Sequence, residues 1–565
     1  MILNELGKII SNIVKPKYDV ELKVIKSNRK ELCDYQCNDS FALAKELHKS
    51  PVEIGEDIVS EINCFSNFND YFKRVEFVKP GFINITVSDN FVNNILKQMN
   101  DNIKYNLRQP DSIETYFLDY GGPNVAKPLH VGHLRSAVVG ESIKRIINYA
   151  GHKTICDVHL GDYGLQIGQV IYGIKKDNMR IEDLTLEYLE KTYPYIIGLC
   201  KENEEIKNEC AKITKELQDG NLEYQQLWKE IVRISGNDIL RIYKYLGVSF
   251  DIWHGESDAY PYIESLEKTL DARNLLINSE GAKVIDVRDD SDSKEMPPFI
   301  FQKSNGAYLY GTTDLATIKE RMEKYNPDHI YYIADLRQDM HFTQVFRASK
   351  LAGLTTNTEL KFCGFGTVND VDGKPYKTRS GDAPKLDSLF NQTKEIFLSL
   401  KKSNKDMTES DIDKIVNAII KFADLQNNRE KDYIFDINKF SEVVGKTGPY
   451  ILYTYLRINK IIKDEVSNLN DISPIIYNDA DRDLRLKLIE FDLSFNRAFN
   501  EQMPSYIADY IYELCVLVNV FYQSNHISNL DDKTKKNDWI YVLNIANGII
   551  KDMLHILVID IPSVM

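Results

Sequence analysis

The stretch Pro123-Asn124-Val125-Ala126-Lys127-Pro128-Leu129-His130-Val131-Gly132-His133 decides the reading of this chain. It lies where a strand predicted over Glu114 to Asp119 gives way to a helix predicted from about Gly132 to Ala150. His130 and His133 share one face of that helix's first turn, because residues three apart are neighbours on a helix. Gly132 removes a side chain where a ligand must come close to the backbone. A helix start also offers unpaired N–H groups and the positive end of the dipole, which suits an anion. Imidazoles beside it donate to phosphate oxygens as charge builds in a transition state. The corner points to adenylate-forming nucleotide chemistry.

Outward from this corner the pattern is strand, helix, strand. The helix carries Leu134, Ala137, Val138, Ile146 and Ile147 on its apolar side and stops at Gly151. A second apolar strand, Thr154 to Val158, completes a βαβ unit and implies a parallel sheet. This α/β block runs from residue 112 to about 405, with a charged, helix-rich insertion at roughly 185 to 290. Residues 1 to about 108 mix short helices and strands in an α+β pattern. They open on an amphipathic helix (Ile2, Leu3, Leu6, Ile9, Ile10, Ile13) that ends before Pro16. The polar stretch Asn100 to Asp111 reads as a linker, and from about 410 to 565 the pattern is an all-α helical bundle.

Composition fits several cytosolic domains. The 565 residues are 43% hydrophobic and 27% charged, and no apolar run nears the roughly 18 residues a membrane span needs. The eight cysteines are scattered, with Cys33 and Cys37 the single close pair, so reduced thiols and no protein-bound metal are expected. A net charge of −14 argues against indiscriminate DNA or RNA binding and leaves a local basic track open.

Ligands in parallel sheets sit at the carboxyl ends of the strands, so polar residues there are the candidates. Asp119 closes the strand before the histidine corner, and His159-Leu160-Gly161-Asp162-Tyr163-Gly164-Leu165-Gln166 follows the next. Tyr310 and Asp314 lie in Ala307 to Asp314, and the strand Asp328 to Ala334 runs into Asp335, Arg337, Gln338 and His341. The segment Asp372-Gly373-Lys374-Pro375-Tyr376-Lys377-Thr378-Arg379-Ser380-Gly381 is a glycine-bounded basic loop suited to closing over a triphosphate.

The first of these motifs resembles the HIGH motif of class I aminoacyl-tRNA synthetases in the form found in arginyl-tRNA synthetases. Lys374-Pro375-Tyr376-Lys377-Thr378 has the lysine spacing of the family's KMSKS loop, with Pro-Tyr in place of Met-Ser. Gly161-Asp162-Tyr163-Gly164, Tyr310 to Asp314 and Arg337-Gln338-Asp339-Met340-His341 extend the likeness. So do Gly81-Phe82-Ile83-Asn84-Ile85, Gly445-Lys446-Thr447-Gly448-Pro449-Tyr450 and the terminal Ile561-Pro562-Ser563-Val564-Met565. The histidine motif occurs in other nucleotidyltransferases too; the ordered set, running end to end, is specific.

The resemblance implies a Rossmann-like catalytic domain, a DALR-type helical anticodon-binding domain, and ATP-dependent ligation of L-arginine to tRNA(Arg). The ester forms at the 2′-OH of the terminal adenosine, and ATP enters with Mg²⁺ as substrate. His130, His133, Lys127, Lys374 and Lys377 are the implied catalytic residues, with Gly132 beside the nucleotide. Asp119, Asp314 and the phenol of Tyr310 match the positions that grip the guanidinium of arginine, and Asn124 and Gln338 those that hold its α-amino and carboxylate end. A guanidinium pairs best with carboxylates, so acids are the right chemistry for it. Tyr450, Tyr453 and Arg457 are expected at the tRNA, in a cytoplasmic monomer that engages neither membrane nor DNA.

Blander readings stand beside each. Asp119 serves equally as a capping acid, and Tyr310 and Asp314 as a strand end and helix cap. Asp162 and Gln166 read as caps of the following helix, the basic loop as a solvated turn, and the C-terminal tyrosines as bundle core. Two other functions fit parts of the pattern: a catalytically silent tRNA-binding paralogue, and a nucleotidyltransferase acting on a small cofactor. The intact histidine and lysine pairs oppose the first. The acids and the large helical bundle oppose the second.

Overall fold

The computed structural model describes residues 2–374, 385–400, 407–465, 475–527 and 530–565. An N-terminal antiparallel sheet joins β1 (Val24–Lys26), β2 (Tyr35–Cys37), β3 (Phe72–Val78) and β4 (Phe82–Val87) in the order β1-β2-β4-β3. The helix Ile2–Val14 lays Ile2, Leu6, Ile10 and Val14 into the core beneath it, fully buried. Each such side chain contributes about 1.5–3 kcal/mol by leaving water.

The central sheet is parallel, built from β5 (Thr115–Tyr120) and β6 (Lys153–Asp157), then β10 (His329–Ile333) and β11 (Glu359–Phe362) after the intervening β7 (Ile277–Ser279), β8 (Ala282–Ile285) and β9 (Phe299–Gln302). Its order is β11-β10-β5-β6, so the chain steps one way from β5 to β6 and then crosses back over β5 to place β10 on its other side. The crevice beyond β5 and β10 is therefore the topological switch point where a ligand fits. The crossover helix Val131–Ala150 packs hard on β5: a Cβ at Gly140 would collide with the Tyr120 ring.

Between β6 and β10 the expected helical insertion is present as the helices Leu186–Glu202, Glu204–Gln218, Leu222–Tyr245 and Glu256–Ala272. It is not wholly helical. Its last part is the three-stranded antiparallel sheet β7-β8-β9, whose strands of three or four residues are too short to show a period. The stretch Asn100 to Asp111 is not a free linker either. Lys104 donates to the Tyr149 carbonyl at 2.7 Å, and the Tyr105 ring meets Phe491 at 5.9 Å.

The C-terminal part is a bundle of helices from Glu409–Leu425 to Lys533–Ile556. It is clasped to the N-terminal part by Arg482, which donates to Asp34 at 2.8 Å, Asp89 at 2.6 Å and the Val87 carbonyl at 3.0 Å. All eight cysteines are free thiols. No helix among the described residues is long and apolar enough to cross a membrane.

Candidate active site

The histidine corner caps its own helix. His130 is the residue before Val131–Ala150, and its Nδ1 accepts the Gly132 N–H at 3.0 Å. His133 Nδ1 accepts the His130 N–H at 3.1 Å, and the two rings lie 3.9 Å apart. With both Nδ1 atoms accepting, the proton of each neutral ring belongs on Nε2. Burial, then His130 and Lys127, push His133 down to about 3, and burial with Lys127 lowers His130. Both are neutral donors at physiological pH. Lys127 sits over the Tyr193 ring at 4.9 Å, which ties the corner to the insertion.

The basic loop is described as far as Lys374; Lys377 and the rest of the segment to Gly381 lie outside the described residues. Asp370 fixes the start, taking the N–H groups of Asp372 at 2.9 Å and Lys374 at 3.0 Å. Lys374 is exposed. Just past the loop, His130 forms an antiparallel bridge with Lys385, and Leu386 N–H donates to the Leu129 carbonyl at 3.0 Å. The loop's far end is thus stitched to the histidine corner.

A cleft of about 820 Å³ is lined by Asn124, Glu256, Tyr260, Tyr310, Thr313 and the insertion's Lys215, among others; His130, His133, Lys127, Asp119, Asp314 and Gln338 are not in its lining. Asn124 is pinned against Gly161, where a Cβ would clash with Asn124 Oδ1. Tyr310 is exposed and leads the helix Tyr310–Lys324; its ring is 4.6 Å from that of His341. Asp314, one turn on, pairs with His341 Nε2 at 2.5 Å. Gln338 ends the short turn after β10 and is exposed.

Glu256 is the acid that sequence reading missed. It starts the helix Glu256–Ala272, and burial, with Asp314 and Asp162 nearby, pushes it up to about 7. Asp162 does not cap the helix that follows it, whose cap residue is Gly164. It instead accepts the N–H (3.0 Å) and hydroxyl (2.7 Å) of Ser257, and so fixes Glu256 in place.

Asp119 is not a free acid. It stands beside Asp157 in the β5–β6 register, and Nη2 of the buried Arg321 reaches Asp119 at 2.6 Å and Asp157 at 2.9 Å. His159 Nδ1 is 3.6 Å from Asp157, a charge contact longer than a hydrogen bond. Burial alone would lower His159, but Asp157 and Asp119 outweigh it and raise the imidazole to about 9. Asp119, Asp157 and His159 have ligand atoms within 4.8 Å of one another, yet Arg321 already supplies the cation among them.

In the bundle, Tyr450 is half-buried, its hydroxyl accepting from Asn519 at 3.0 Å, which makes it largely a packing residue. Tyr453 and Arg457 instead line a surface cavity of about 570 Å³ with Lys460, Lys463 and the terminal Ser563 to Met565. Arg457 lies over the Tyr522 ring at 4.2 Å.

Comparison with known proteins matches three successive parts of the chain to family models. Residues 1–87 match the arginyl tRNA synthetase N terminal domain, 92–437 the catalytic domain of class I (R) tRNA synthetases, and 451–565 the DALR anticodon binding domain. The chain is 37% identical to the arginine–tRNA ligase of Alkaliphilus oremlandii, with both chains covered in full, and 39% identical to that of Agathobacter rectalis over 98% of each. Among solved structures, arginyl-tRNA synthetase from Plasmodium falciparum superposes with a TM-score of 0.81 at 25% identity, covering 100% of this chain and 99% of that one. The Thermus thermophilus arginyl-tRNA synthetase shares the fold at the same TM-score of 0.81 and 20% identity, with 100% of each chain covered.

Proposed function

The chain belongs to the arginyl-tRNA synthetase family, and on that premise we propose how its cleft charges tRNA with arginine. It is an arginine–tRNA ligase: arginine is activated with ATP to arginyl-adenylate and passed to the terminal adenosine of tRNA(Arg), releasing AMP and pyrophosphate. The arginine carboxylate attacks the α-phosphorus in line, so catalysis is positioning and charge stabilisation without a protein nucleophile. His130 and His133 donate through Nε2 to the nucleotide, at a helix start whose Gly132 lets it approach. Lys127, Lys374 and Lys377 take up the charge of departing pyrophosphate, and Mg²⁺ arrives with ATP. Asp314, Tyr310 and Glu256 hold the guanidinium; Asn124 and Gln338 hold the α-amino and carboxylate end, and Asp119, expected at the guanidinium but tied through Oδ2 to Arg321, turns its other oxygen to that same end. Tyr453 and Arg457 meet the anticodon arm. The protein works as a cytoplasmic monomer.

The observation that carries this reading is an acid, Glu256, in the lining of the cleft with Asn124 and Tyr310, and a second, Asp314, near enough to help raise it. The test is ATP-dependent attachment of labelled arginine to tRNA, with pyrophosphate exchange measured with and without tRNA. Charging of arginine and not lysine is expected. Failure to charge arginine removes the proposal, and strong exchange without tRNA shows that activation stands alone.

A further inference from the structure

Arg321 sits at the carboxyl ends of β5 and β6 and is 2% exposed. Its guanidinium is stacked near two rings, 4.5 Å from the Phe117 centroid and 5.4 Å from that of Tyr332. One nitrogen, Nη2, spans both Asp119 and Asp157, while Nε and Nη1 are buried with no hydrogen-bond partner. Both ring nitrogens of His159 are likewise buried without a hydrogen bond. Unpartnered buried donors cost stability, and a buried ion pair is weak evidence for a stabilising role. An arginine present only to hold the fold together would use its whole fork. This one spends a single nitrogen to set the spacing of two carboxylates.

The consequence falls on Asp119. Arg321 takes its Oδ2, and among the described residues none donates a hydrogen bond to Oδ1, in a side chain 16% exposed. Asp157 meanwhile accepts the N–H groups of His159 and His254, both at 3.2 Å. That holds the segment 157–162 against the one that delivers Glu256, with Leu160 N–H bonded to the His254 carbonyl at 2.8 Å. We propose that Arg321 is a positioning residue for amino-acid recognition: it clamps Asp119 to Asp157 so that Asp119 offers one fixed, open oxygen to arginine. The inference rests on the arginine-charging reading above.

The test uses full-length protein in steady-state charging assays, with wild type, Arg321→Lys, Arg321→Met and the double variant Arg321→Met/Asp157→Asn. Arg321→Met should raise KM for arginine by about 10-fold or more, the size of a lost charged hydrogen bond, and leave KM for ATP within about 2-fold. Arg321→Lys keeps the charge and loses the stacked plane, so it should fall between. The double variant removes one of the two stranded acids; its thermal midpoint should recover toward wild type while KM for arginine stays high. Recovery of KM together with the midpoint would make the role structural and overturn the proposal. So would equal rises in both KM values, and if Arg321→Met does not fold, an unchanged arginine KM in Arg321→Lys does the same. A wild-type protein that fails to charge arginine would instead strike the functional reading itself.

Discussion

The backbone N–H of His130 donates to Nδ1 of His133 across 3.1 Å, so two candidate catalytic rings are also the cap of the helix that carries them. Structure and chemistry share the same atoms here, and substitutions separate them. His133→Ala should cut the charging rate by about 10²–10³, the usual loss for one transition-state donor, and lower stability by about 0.5–2 kcal/mol for the lost cap. His133→Gln keeps an acceptor at the capping-box position and should restore the melting temperature without restoring the rate. Rate and melting temperature recovering together would assign His133 to the fold alone.

The acid pocket gives a prediction on substrate affinity. Asp314→Asn and Glu256→Gln should each raise KM for arginine much more than KM for ATP, because each removes a carboxylate proposed to pair with the guanidinium. Parallel changes in the two KM values would move these acids out of the amino-acid site.

His159 gives a pH dependence with a definite sign. Its folded value, about 9, lies above the ordinary 6.5. The stability it adds is therefore complete below about pH 6.5 and is lost as pH rises toward 9. The shift corresponds to roughly 3 kcal/mol. The melting-temperature gap between wild type and His159→Gln should be widest near pH 6 and close by pH 9.5. A gap that stays constant with pH would mean the imidazole is neutral in the native protein.

Tyr453 and Arg457 are expected to hold tRNA by different physics. Tyr453→Ala should cost about 1–3 kcal/mol of tRNA affinity if a base stacks on it, with little change in salt dependence. Arg457→Ala should flatten the plot of log affinity against log salt by about one phosphate contact. Filter-binding titrations at several salt concentrations read both. Unchanged affinity in both variants would take the cavity they line out of the tRNA interface.

What could be read from sequence was what repeats or punctuates. The apolar strand before Asp119, the helix to Gly151 and the amphipathic Ile2 to Ile13 all emerge within a residue or two of their structural limits, because burial imposes a period on each. Glu256 and Arg321 escaped for the opposite reason. Glu256 looks like any acid opening a surface helix, and what makes it special is Asp162, far back in the chain. Arg321 falls two turns after Asp314, in a run with Lys319, Glu320 and Glu323 that reads as solvated. Its partners Asp119 and Asp157 lie on strands 202 and 164 residues earlier. Long-range charge pairing leaves no local trace.

Arg482 reaches from the helical bundle into the first hundred residues, and all three of its acceptors belong to that early segment. Cutting the chain before Thr115 would strand this cation; the buried Arg485 would lose Asn93, its partner at 3.1 Å, and keep Asp481 at 2.6 Å and the Ile475 carbonyl at 2.7 Å. A shortened enzyme would lose its bundle's footing along with its first domain. The two ends of the protein touch directly, and the guanidinium of Arg482 is a joint between them.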